Sequence, residues 1–444
     1  MDRRLPTAPT GSRVTLKLEG KEVDAREGES VAVALFCAGE AVISRSIKYH
    51  RPRGFFCLSG HCGACLTRID GKPNMKACKT LVRDGLTVER QNAFPSGGFD
   101  MLAAADFFFA KGMDHHTMMT SPRALNTMMQ KVVRQLGGLG RLPDEPVGGV
   151  QALPTPTVKH VEVAVIGGGP AGLAAATAAA RAGRRTLLVD EQDRLGGSYL
   201  AHPAFGLGAA DRAVEAARKA GVELRANASV IAWYPEDAPS ENAQPGLLAV
   251  HVPEGLLLLT ADRYVYATGA YDQNALFENN DRPGVLAARA VGRLLVRYGV
   301  KPAERPVVLG GGPYAQALAE ALTASGAVVT RIDGAASQVV AAHGHSWVKS
   351  VDVVDRGAKK SRRIKCDLLA VAALPAPASE LPRQHGVAVE LQPEGGGFVC
   401  RTDGSGRTEV AAVFTCGDVN GFAGPERAAN DGAKVGELVG RSFS

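Results

Sequence analysis

The sequence of 444 residues predicts an α/β protein in which a small domain of short strands precedes a larger region with two strand–helix–strand folds. Three observations support this expectation. Four cysteines between residues 57 and 78 follow the spacing C-x4-C-x2-C-x12-C. Two glycine-rich motifs, at residues 167–172 and 310–315, each follow an apolar strand pattern and precede a helix pattern. An apolar run near the end of the sequence leads into Gly417 and Asp418, as a buried strand entering a turn would.

The cysteine spacing is that of plant-type 2Fe–2S ligands, in which three thiolates come from one tight loop and the fourth comes from a later turn. Gly60 and Gly63 lie in the loop and allow the backbone to curve around the inorganic sulfides. Amide N–H groups in such a loop point inward and stabilise the negative charge of the cluster. The predicted cluster ligands are Cys57, Cys62, Cys65 and Cys78.

A structural zinc ion is the alternative for these cysteines. Zinc sites commonly combine two C-x2-C pairs, or cysteine with histidine. This loop has one such pair, Cys62 and Cys65. The spacing therefore favours the two-iron cluster.

The residues around the cysteines predict a β-grasp domain of the ferredoxin type over residues 1–95. Two strand patterns precede an apolar helix, for which Ser30 is a suitable N-cap. Two more strand patterns follow the cysteine loop, and the first of them enters a hairpin turn. The predicted elements are strands at 14–18, 21–23, 66–69 and 81–88 and a helix at 31–38. A connector, partly helical, is expected over residues 96–158.

The composition argues against several other classes of function. A net charge of +6 with scattered basic residues gives no signal for nucleic-acid binding. The sequence has neither a signal-peptide pattern nor an apolar run of about 18 residues, so we expect no transmembrane segment. Eight cysteines, four of them assigned to a cluster, fit a reducing compartment and predict a cytoplasmic protein.

The first glycine-rich motif has the full fingerprint of a dinucleotide-binding fold. A strand pattern at 161–166 leads into G-x-G-x-x-G, an alanine-rich helix and a second strand that ends in an acid. Gly167 makes the tight turn, Gly169 lets pyrophosphate approach the backbone, and Gly172 lets the helix pack closely on the strand.

The other candidate nucleotide contacts of this motif are a helix N-terminus and an acid. The helix begins at Pro170 and Ala171, where its amide groups face the phosphates. Asp190, or the neighbouring Glu191, stands where a carboxylate accepts the ribose hydroxyls. A dinucleotide fold that binds no nucleotide is the alternative interpretation.

Three further patterns favour a flavin at this motif, because they resemble two-domain flavoproteins of the disulfide-reductase type. A Gly-Gly pair follows the acids, a strand at 264–266 ends in Ala-Thr-Gly, and a strand near the end of the sequence leads into Gly-Asp. The resemblance implies that the Asp binds the ribityl chain. The residues predicted from these patterns to bind FAD are Gly196, Gly197, Ala267, Thr268, Gly269, Gly417 and Asp418. The FAD domain is expected over residues 159–280 and 408–444.

The second glycine-rich motif resembles the nicotinamide domain that such flavoproteins insert within the FAD domain, here expected over residues 281–407. Asp333 follows its second strand as Asp190 follows the first. The motif departs from the pattern at Ala315 and at Tyr314, whose ring is expected in the path of a pyrophosphate. The turn at 372–375 also lacks the usual glycine. We therefore expect a domain that keeps the fold without binding NAD(P), with functional NAD binding as the alternative.

Residues for catalysis on a substrate are missing from these motifs. No C-x2-C pair occurs in the second half of the sequence, and no histidine lies in a recognisable acid–base motif. Catalytic residues therefore stay unassigned, and a chain that binds FAD and an iron–sulfur cluster without them is typical of an electron relay.

Two short segments and the order of the domains resemble one family. Residues 45–54 read Arg-Ser-Ile-Lys-Tyr-His-Arg-Pro-Arg-Gly, residues 280–285 read Asn-Asp-Arg-Pro-Gly-Val, and the connector from 99 to 140 is of the same type. The chain resembles the alpha subunit of heterotetrameric sarcosine oxidase. It equally resembles the A and B subunits of hydrogen cyanide synthase, fused, and the alpha subunits of opine oxidases and dye-linked proline or hydroxyproline dehydrogenases.

The chain departs from sarcosine oxidase alpha in two ways. That subunit lacks the cluster cysteines, so the present sequence is expected on the cyanide synthase and opine oxidase branch. It also continues into an aminomethyltransferase-like half that binds folate. Because the present sequence ends at Ser444, folate chemistry is expected to be absent.

The resemblance implies an oxidoreductase subunit that relays electrons through FAD and 2Fe–2S. The CH–NH or CH–NH2 donor would be oxidised on a partner, a beta subunit similar to D-amino-acid oxidase, which makes the protein a hetero-oligomer. Residues 48–53 carry several cations and donors beside the cluster loop. They are a candidate site for the phosphate of FMN at a subunit interface, with a packing role as the alternative.

Two other interpretations of the whole chain stay open. One is a self-sufficient NAD(P)H-dependent FAD and 2Fe–2S reductase of a protein acceptor. Asp333 favours it, and Tyr314 argues against it. The other is a scaffold that retains a nucleotide only for stability.

Overall fold

A computed structural model of the chain describes residues 3–6, 8, 11–47, 49–93, 100–101, 143, 154–235 and 246–443. The chain forms two compact units. The first unit comprises residues 1–149 and 274–372, and the second comprises residues 150–273 and 373–444. Most of the predicted connector at 96–158, with its expected helices, lies outside the described residues. The domain bounds inferred from the sequence stay a prediction.

The secondary structure is mixed. The described helices are α1 (Val31–Cys37), α2 (Pro170–Arg181), α3 (Gly206–Lys219), α4 (Ala288–Val296), α5 (Gly312–Ala324), α6 (Glu380–Gln384) and α7 (Pro425–Arg441). The described strands are β1 (Arg13–Leu18), β2 (Lys21–Arg26), β3 (Ser44–Arg45), β4 (Pro52–Arg53), β5 (Leu66–Ile69), β6 (Lys72–Lys76), β7 (Thr87–Glu89), β8 (Thr157–Ile166), β9 (Thr186–Val189), β10 (Glu223–Arg225), β11 (Ser229–Tyr234), β12 (Leu247–Val252), β13 (Gly255–Tyr266), β14 (Ala270–Tyr271), β15 (Val285–Ala287), β16 (Pro306–Leu309), β17 (Thr330–Ile332), β18 (Ser337–Gly344), β19 (Val348–Asp355), β20 (Arg362–Lys365), β21 (Leu368–Val371), β22 (Ala376–Pro377), β23 (Val389–Gln392), β24 (Gly397–Cys400) and β25 (Val413–Thr415). Within the described ranges, no helix has the length and apolar character needed to cross a lipid bilayer.

The N-terminal part of the first unit has the predicted β-grasp fold. Its five-stranded sheet has the order β2-β1-β7-β5-β6, with β1 antiparallel to β2 and parallel to β7. Helix α1 is buried along its whole length, and the Ser30 hydroxyl caps it by accepting a hydrogen bond from the Val33 amide at 3.4 Å. The strand predicted at 81–88 is wrong over most of its length. Residues 83–86 form a turn around Gly85 (φ 72°), so the strand covers only Thr87–Glu89.

The remainder of the first unit is a second fold built on a parallel sheet of order β15-β21-β16-β17. Helices α4 and α5 pack against one another beside it, and an antiparallel sheet of β18, β19 and β20 follows. The buried apolar side chains of the β-grasp domain and of this fold form one continuous cluster, in which Leu35 and Phe36 join Leu286 and Val291. The two parts of the unit therefore share a core.

The second unit is built on a sheet of order β10-β9-β8-β13-β12-β11, with β25 added along β13. Strand β8 is buried on both faces over its last four residues. Val163 and Val165 pack into the core that contains α2, and Ala164 and Ile166 pack into the core on the other side. Strands β8, β9, β13 and β25 run parallel, so their carboxyl ends meet at one edge of the sheet.

Candidate iron–sulfur and nucleotide sites

The four predicted cluster ligands come from two neighbouring turns of the β-grasp domain. Three lie in the loop between β4 and β5, and the fourth lies just after β6. The Ala77 amide donates a hydrogen bond to the Cys65 carbonyl at 3.0 Å, which holds the turn containing Cys78 beside the loop. Cys57, Cys65 and Cys78 are buried, whereas Cys62 is exposed.

The thiols are arranged as two pairs. Cys57 and Cys62 share a hydrogen bond, which lowers the pKa of Cys57 and raises that of Cys62. Cys78 shares a hydrogen bond with Cys65 and also lies within the field of Cys57, so its pKa is raised. The Ser59 amide donates to the Cys57 sulfur at 3.4 Å. Such amides stabilise thiolate sulfur.

This arrangement fits a two-iron cluster. A 2Fe–2S cluster takes two thiolates at each iron, and the loop offers two adjacent pairs with amide donors around them. A mononuclear zinc site instead needs three or four ligands around one point. Among the described residues, no three His, Cys, Asp or Glu side chains are grouped in that way.

A cavity of about 700 Å³ opens beside Cys62, the exposed one of the four predicted ligands. Its walls include Tyr49 and Arg51, from the loop between β3 and β4, and Arg53 of β4. The Arg51 guanidinium carbon lies 5.9 Å from the centre of the Tyr49 ring. Lys48, which was predicted to belong to the same cationic loop, lies outside the described residues. The Arg51 guanidinium and the Tyr49 ring suit a planar ligand with a negative charge. Arg53 is ion-paired with Asp281, which also lines the cavity.

A buried acid supports this loop from behind. The side chain of Asp100 is fully buried, and its Oδ2 lies 3.1 Å from His50 Nδ1 and 3.5 Å from Arg45 Nε. His50 Nδ1 also lies 2.8 Å from the Asn92 carbonyl oxygen, and Arg45 donates to the His50 carbonyl at 2.9 Å. The loop is therefore fixed by ion pairing inside the protein. The residues around Asp100 in the sequence do not mark it as part of this site, because its contact with His50 spans 50 residues.

The residues predicted to bind FAD meet at the edge of the second unit where β8, β9, β13 and β25 end. Gly167 has φ 107°, and a Cβ there would lie 2.3 Å from the Ala267 carbonyl oxygen. A Cβ on Gly172 would lie 1.8 Å from the Gly167 oxygen. A Cβ on Gly169 would meet only Gly197 Cα, at 3.9 Å. The loop is thus closed at its two ends and open at Gly169, where a pyrophosphate would lie along the start of α2 at Pro170 and Ala171.

The predicted acid lies close to this loop. The Asp190 carboxylate accepts hydrogen bonds from the Gly168 amide and, at 2.7 Å, from the Gln192 amide. These bonds fix its position at the end of β9. Glu191 is nearby and accepts a hydrogen bond from the Gln192 side chain at 2.9 Å. Asp190 is therefore in direct contact with the glycine loop, whereas Glu191 contacts Gln192.

The Gly-Gly pair covers one side of the same loop. The Gly196 amide donates to the Gly168 carbonyl at 2.8 Å. A Cβ on Gly197 would lie 2.6 Å from Gly169 Cα, so the two backbones approach as closely as glycine allows. These positions leave a cradle that side chains would fill, which fits an extended dinucleotide.

The turn after β13 is also close. The Thr268 hydroxyl donates to the Ala378 carbonyl at 2.6 Å, and the Ala378 amide donates to the Gly269 carbonyl at 2.9 Å. Ala267 approaches both Gly167 and Gly172. The turn is therefore held between the glycine loop and the chain segment around β22.

The Gly-Asp turn after β25 packs on the start of α2. A Cβ on Gly417 would lie 2.6 Å from the Ala171 Cβ, and the Gly417 amide donates to Asp431 at 2.7 Å. Asp418 is buried and accepts a hydrogen bond from the Ala423 amide at 3.1 Å. Asp431 was not singled out from the sequence.

Helix α7 packs on α2 with little space between the backbones. A Cβ on Gly432 would lie 2.0 Å from the Ala171 oxygen, and one on Gly436 would lie 2.3 Å from the Ala175 oxygen. A third glycine, Gly440, continues the same spacing of four residues. This spacing was a signal in the sequence that we did not use, and it fixes the helix that follows the Gly-Asp turn.

The second glycine-rich motif has a different environment. The Tyr314 hydroxyl donates to the Ala288 carbonyl at 3.2 Å, and its ring packs against the core of the first unit. Gly310 has φ 132°, and a Cβ there would lie 2.8 Å from the Ala372 oxygen. The Asp333 carboxylate accepts a hydrogen bond from the Ala335 amide at 2.9 Å. The tyrosine thus links α5 to the start of α4.

The fold and these two sites define an iron–sulfur flavoprotein subunit of the oxidoreductase class. Two family models match the chain. One describes a 2Fe-2S iron-sulfur cluster binding domain and matches residues 11–93. The other describes pyridine nucleotide-disulphide oxidoreductases and matches residues 161–346.

Relatives extend this match. The sarcosine oxidase subunit alpha of Rhizobium meliloti (strain 1021) is 33% identical over 355 residues, which cover 75% of this chain and 34% of that subunit. The hydrogen cyanide synthase subunit HcnA of Pseudomonas aeruginosa is 38% identical over 79 residues, 18% of this chain and 75% of that subunit. The chain belongs to the family that contains sarcosine oxidase alpha subunits and HcnA. It spans about a third of the length of the curated sarcosine oxidase alpha subunits it matches.

A solved structure confirms the predicted fold. The crystal structure of L-proline dehydrogenase from P. horikoshii superimposes with a TM-score of 0.74 and 22% identity, covering 100% of this chain and 76% of that chain. The β-grasp domain fused to a flavoprotein with two dinucleotide folds is thus a known architecture.

Proposed function

We propose that this chain is the electron-transfer alpha subunit of a heteromeric, flavin-dependent dehydrogenase or oxidase. Its donor is an amine or amino acid of the sarcosine, proline, glycine or opine type. The C–N bond is oxidised on a beta subunit similar to D-amino-acid oxidase, and this chain carries the electrons away. The names of the sarcosine oxidase relative and of the proline dehydrogenase structure support this donor class.

The observation that carries the proposal is the cavity beside Cys62. Three cluster ligands are buried and the fourth is exposed on the wall of a cavity that also presents Arg51 and Arg53. An electron that leaves or enters the cluster does so most directly through the exposed ligand. A redox-active anion in this cavity would contact it. This supports FMN, shared with a partner subunit, as the occupant.

The chemistry of the relay comes from its cofactors, since FAD exchanges two electrons at once and a 2Fe–2S cluster exchanges one. The residues of this chain hold these groups. The glycine loop around Gly169 and the amides at the start of α2 bind the pyrophosphate, and Asp190 orients the ribose. Burial of Cys57, Cys65 and Cys78 excludes water from three of the four thiolates.

The second dinucleotide fold is assigned no NAD(P) in this proposal. Tyr314 ties the start of α5 to Ala288, and the strand end at Ala372 lies so close to Gly310 that a Cβ there would be 2.8 Å from the Ala372 oxygen. The four cysteines outside the proposed cluster, Cys37, Cys366, Cys400 and Cys416, are buried and form no disulfide, which supports a reducing, cytoplasmic location. The rival function, an NAD(P)H-dependent reductase of a protein acceptor, would require nucleotide at this second fold.

Co-purification tests the proposal. The chain, expressed with a beta subunit similar to D-amino-acid oxidase from the same genome, should co-elute with it. The complex should reduce an artificial dye with proline, sarcosine, glycine or an opine, while the chain alone should reduce none with these donors. Rapid bleaching of the FAD absorbance by NADH in the isolated chain, with no partner recovered, would instead establish the rival.

A further inference from the structure

The segment that leads into the cysteine loop lies along the second dinucleotide fold. Arg53 forms an ion pair with Asp281, with 2.9 Å between Nη1 and Oδ2. A Cβ on Gly54 would lie 3.3 Å from the Cβ of Pro283. The Ala287 amide donates to the Phe56 carbonyl at 3.1 Å. These three contacts lie along the two segments, 53–56 and 281–287, and end next to Cys57, the first predicted cluster ligand.

Apolar packing reinforces the same boundary. Phe36 of α1 contacts the Phe55 ring at 5.6 Å between centroids and the Trp347 ring at 5.9 Å. Trp347 follows the turn after β18, in the second fold. Phe36 therefore lies between Phe55 and the dinucleotide fold, and this packing helps to hold the backbone that leads to the first ligand.

The last contact in this series reaches a ligand residue itself. Arg293, in the last turn of α4, donates from Nη1 to the carbonyl oxygen of Cys57 at 2.9 Å. The contact joins residues 236 positions apart and is partly buried. It fixes the backbone of a buried ligand and also places a permanent positive charge next to the cluster site.

We propose that the second dinucleotide fold serves as the outer shell of the iron–sulfur site, and that Arg293 is a positioning residue that also raises the reduction potential of the cluster. One-electron reduction adds one negative charge to the cluster. A guanidinium group held nearby, and partly shielded from bulk water, stabilises the reduced form more than the oxidised form. This gives a role to a fold in which Tyr314 occupies the region between α5 and α4.

The inference rests on the cluster assignment and is independent of the amine substrate and of any partner. Its test therefore uses the purified chain and a chemical reductant. Three variants are compared with the wild type. Arg293→Gln removes the charge, Arg293→Lys keeps it on a shorter group, and Arg297→Gln makes the same charge change one turn later, where the side chain lies 4.9 Å from the Tyr298 ring.

The readouts are iron per chain, visible circular dichroism and the midpoint potential from a dithionite titration followed by electron paramagnetic resonance. We expect R293Q to titrate at a more negative potential than the wild type, with an altered circular dichroism spectrum. R293K should titrate between the two, and R297Q should match the wild type. An R293Q variant with full iron and the wild-type potential would overturn the proposal.

The lysine variant provides the test if R293Q loses its cluster. If R293Q holds no iron, the potential of R293K decides the electrostatic role. A potential at or only slightly below that of the wild type, with iron restored, supports it, and a potential far more negative than that of the wild type, despite full iron, refutes it. An equal shift in R297Q would also refute it, because the effect would then follow net charge rather than the contact with Cys57.

Discussion

Arg53 and Asp281 form an ion pair with an N–O distance of 2.9 Å, and the pair joins the two segments that carry the family resemblance. Several residues of the first segment, among them Arg45, Tyr49 and Arg51, line the cavity beside Cys62, and residues 280–285 begin the second dinucleotide fold. The two motifs thus form one contact, although about 230 residues separate them. A shared structural role explains why both are present in one chain.

The first prediction concerns the cluster. Cys62→Ser replaces a soft thiolate by a hard hydroxyl at the exposed ligand, and we expect the iron content to fall well below about two per chain. Broad visible absorption should fall with it. Metal analysis and absorption spectra after anaerobic purification measure both. Cys37→Ala, in the buried face of α1, is the matched control and should keep its iron. Zinc without iron in the wild type would show that the zinc alternative is correct.

The iron–sulfur domain could be predicted because the spacing of its cysteines is local, whereas the four individual ligands stay a prediction. Cys57, Cys62 and Cys65 lie in one loop, so ligand order is visible in the sequence itself. The glycine loop at 167–172 is predictable for the same reason, since the strand, turn and helix around it are contiguous.

Contacts between distant segments could not be predicted in this way. The Asp100 side chain reaches His50 across 50 residues, and Arg293 reaches Cys57 across 236. Nothing in the local pattern of either residue marks its partner. Tyr314 illustrates a different limit, because the sequence indicates a large ring near the loop but not the direction in which packing turns it.

The strand expected at 81–88 failed for a local reason. Apolar residues at 81, 82, 86 and 88 suggested a continuous strand, but Asp84 and Gly85 form a turn between them. Turn chemistry outweighed hydrophobic pattern here.

The second prediction concerns the nucleotide loop. Gly169→Val places a side chain in the open part of the loop, so it should weaken FAD binding by at least about tenfold, or about 1.4 kcal/mol, while the fold is retained. Flavin content after purification and titration of the apoprotein with FAD measure this. Gly208→Ala, in α3, is the control and should bind normally. In contrast, Gly172→Val would clash with the Gly167 oxygen and should prevent folding of the second unit. Normal FAD content in G169V, or NAD or ATP as the bound nucleotide, would refute the flavin assignment.

The third prediction follows from His385. Its ring stacks on Trp233 with 3.5 Å between centroids, and Nδ1 lies 2.8 Å from the Tyr266 hydroxyl. Burial lowers the pKa of His385 to about 4, below its ordinary value of about 6.5. Between these values the unfolded chain binds a proton that the folded chain does not. The contribution of the neutral His385 ring to the free energy of unfolding is therefore fully present above about pH 6.5 and is lost as the pH falls towards about 4.

Thermal unfolding followed by tryptophan fluorescence tests this. His385→Gln should lower the melting temperature at neutral pH, because stacking is lost, yet its melting temperature should fall less steeply than that of the wild type between about pH 6.5 and about pH 4.5. His251→Gln, at an exposed position of β12, should follow the wild type. Parallel curves for H385Q and the wild type would mean that this histidine does not control the acid sensitivity.

The fourth prediction concerns the cavity beside the cluster. Arg51→Glu reverses a charge on the cavity wall without breaking the ion pair of Arg53 with Asp281. In a complex with the beta subunit, we expect amine-dependent dye reduction to slow by about tenfold or more, because an anionic ligand or partner surface is repelled. The free energy of unfolding should change by no more than about 0.5 kcal/mol, as is typical of surface substitutions.

Stopped-flow absorbance of the cluster during turnover measures the rate of electron transfer. Urea unfolding of the isolated chain measures the change in unfolding free energy. Added salt should reduce the difference between wild type and R51E, since it screens the charge. The control is Lys21→Glu, at the exposed end of β2, which makes the same charge reversal on the same domain and should leave the rate of electron transfer unchanged. Arg68 is unsuitable as a control position because it is buried. Equal rates of dye reduction in R51E and K21E would show that the cavity is not on the path of electron transfer and that the exposure of Cys62 has no role in it.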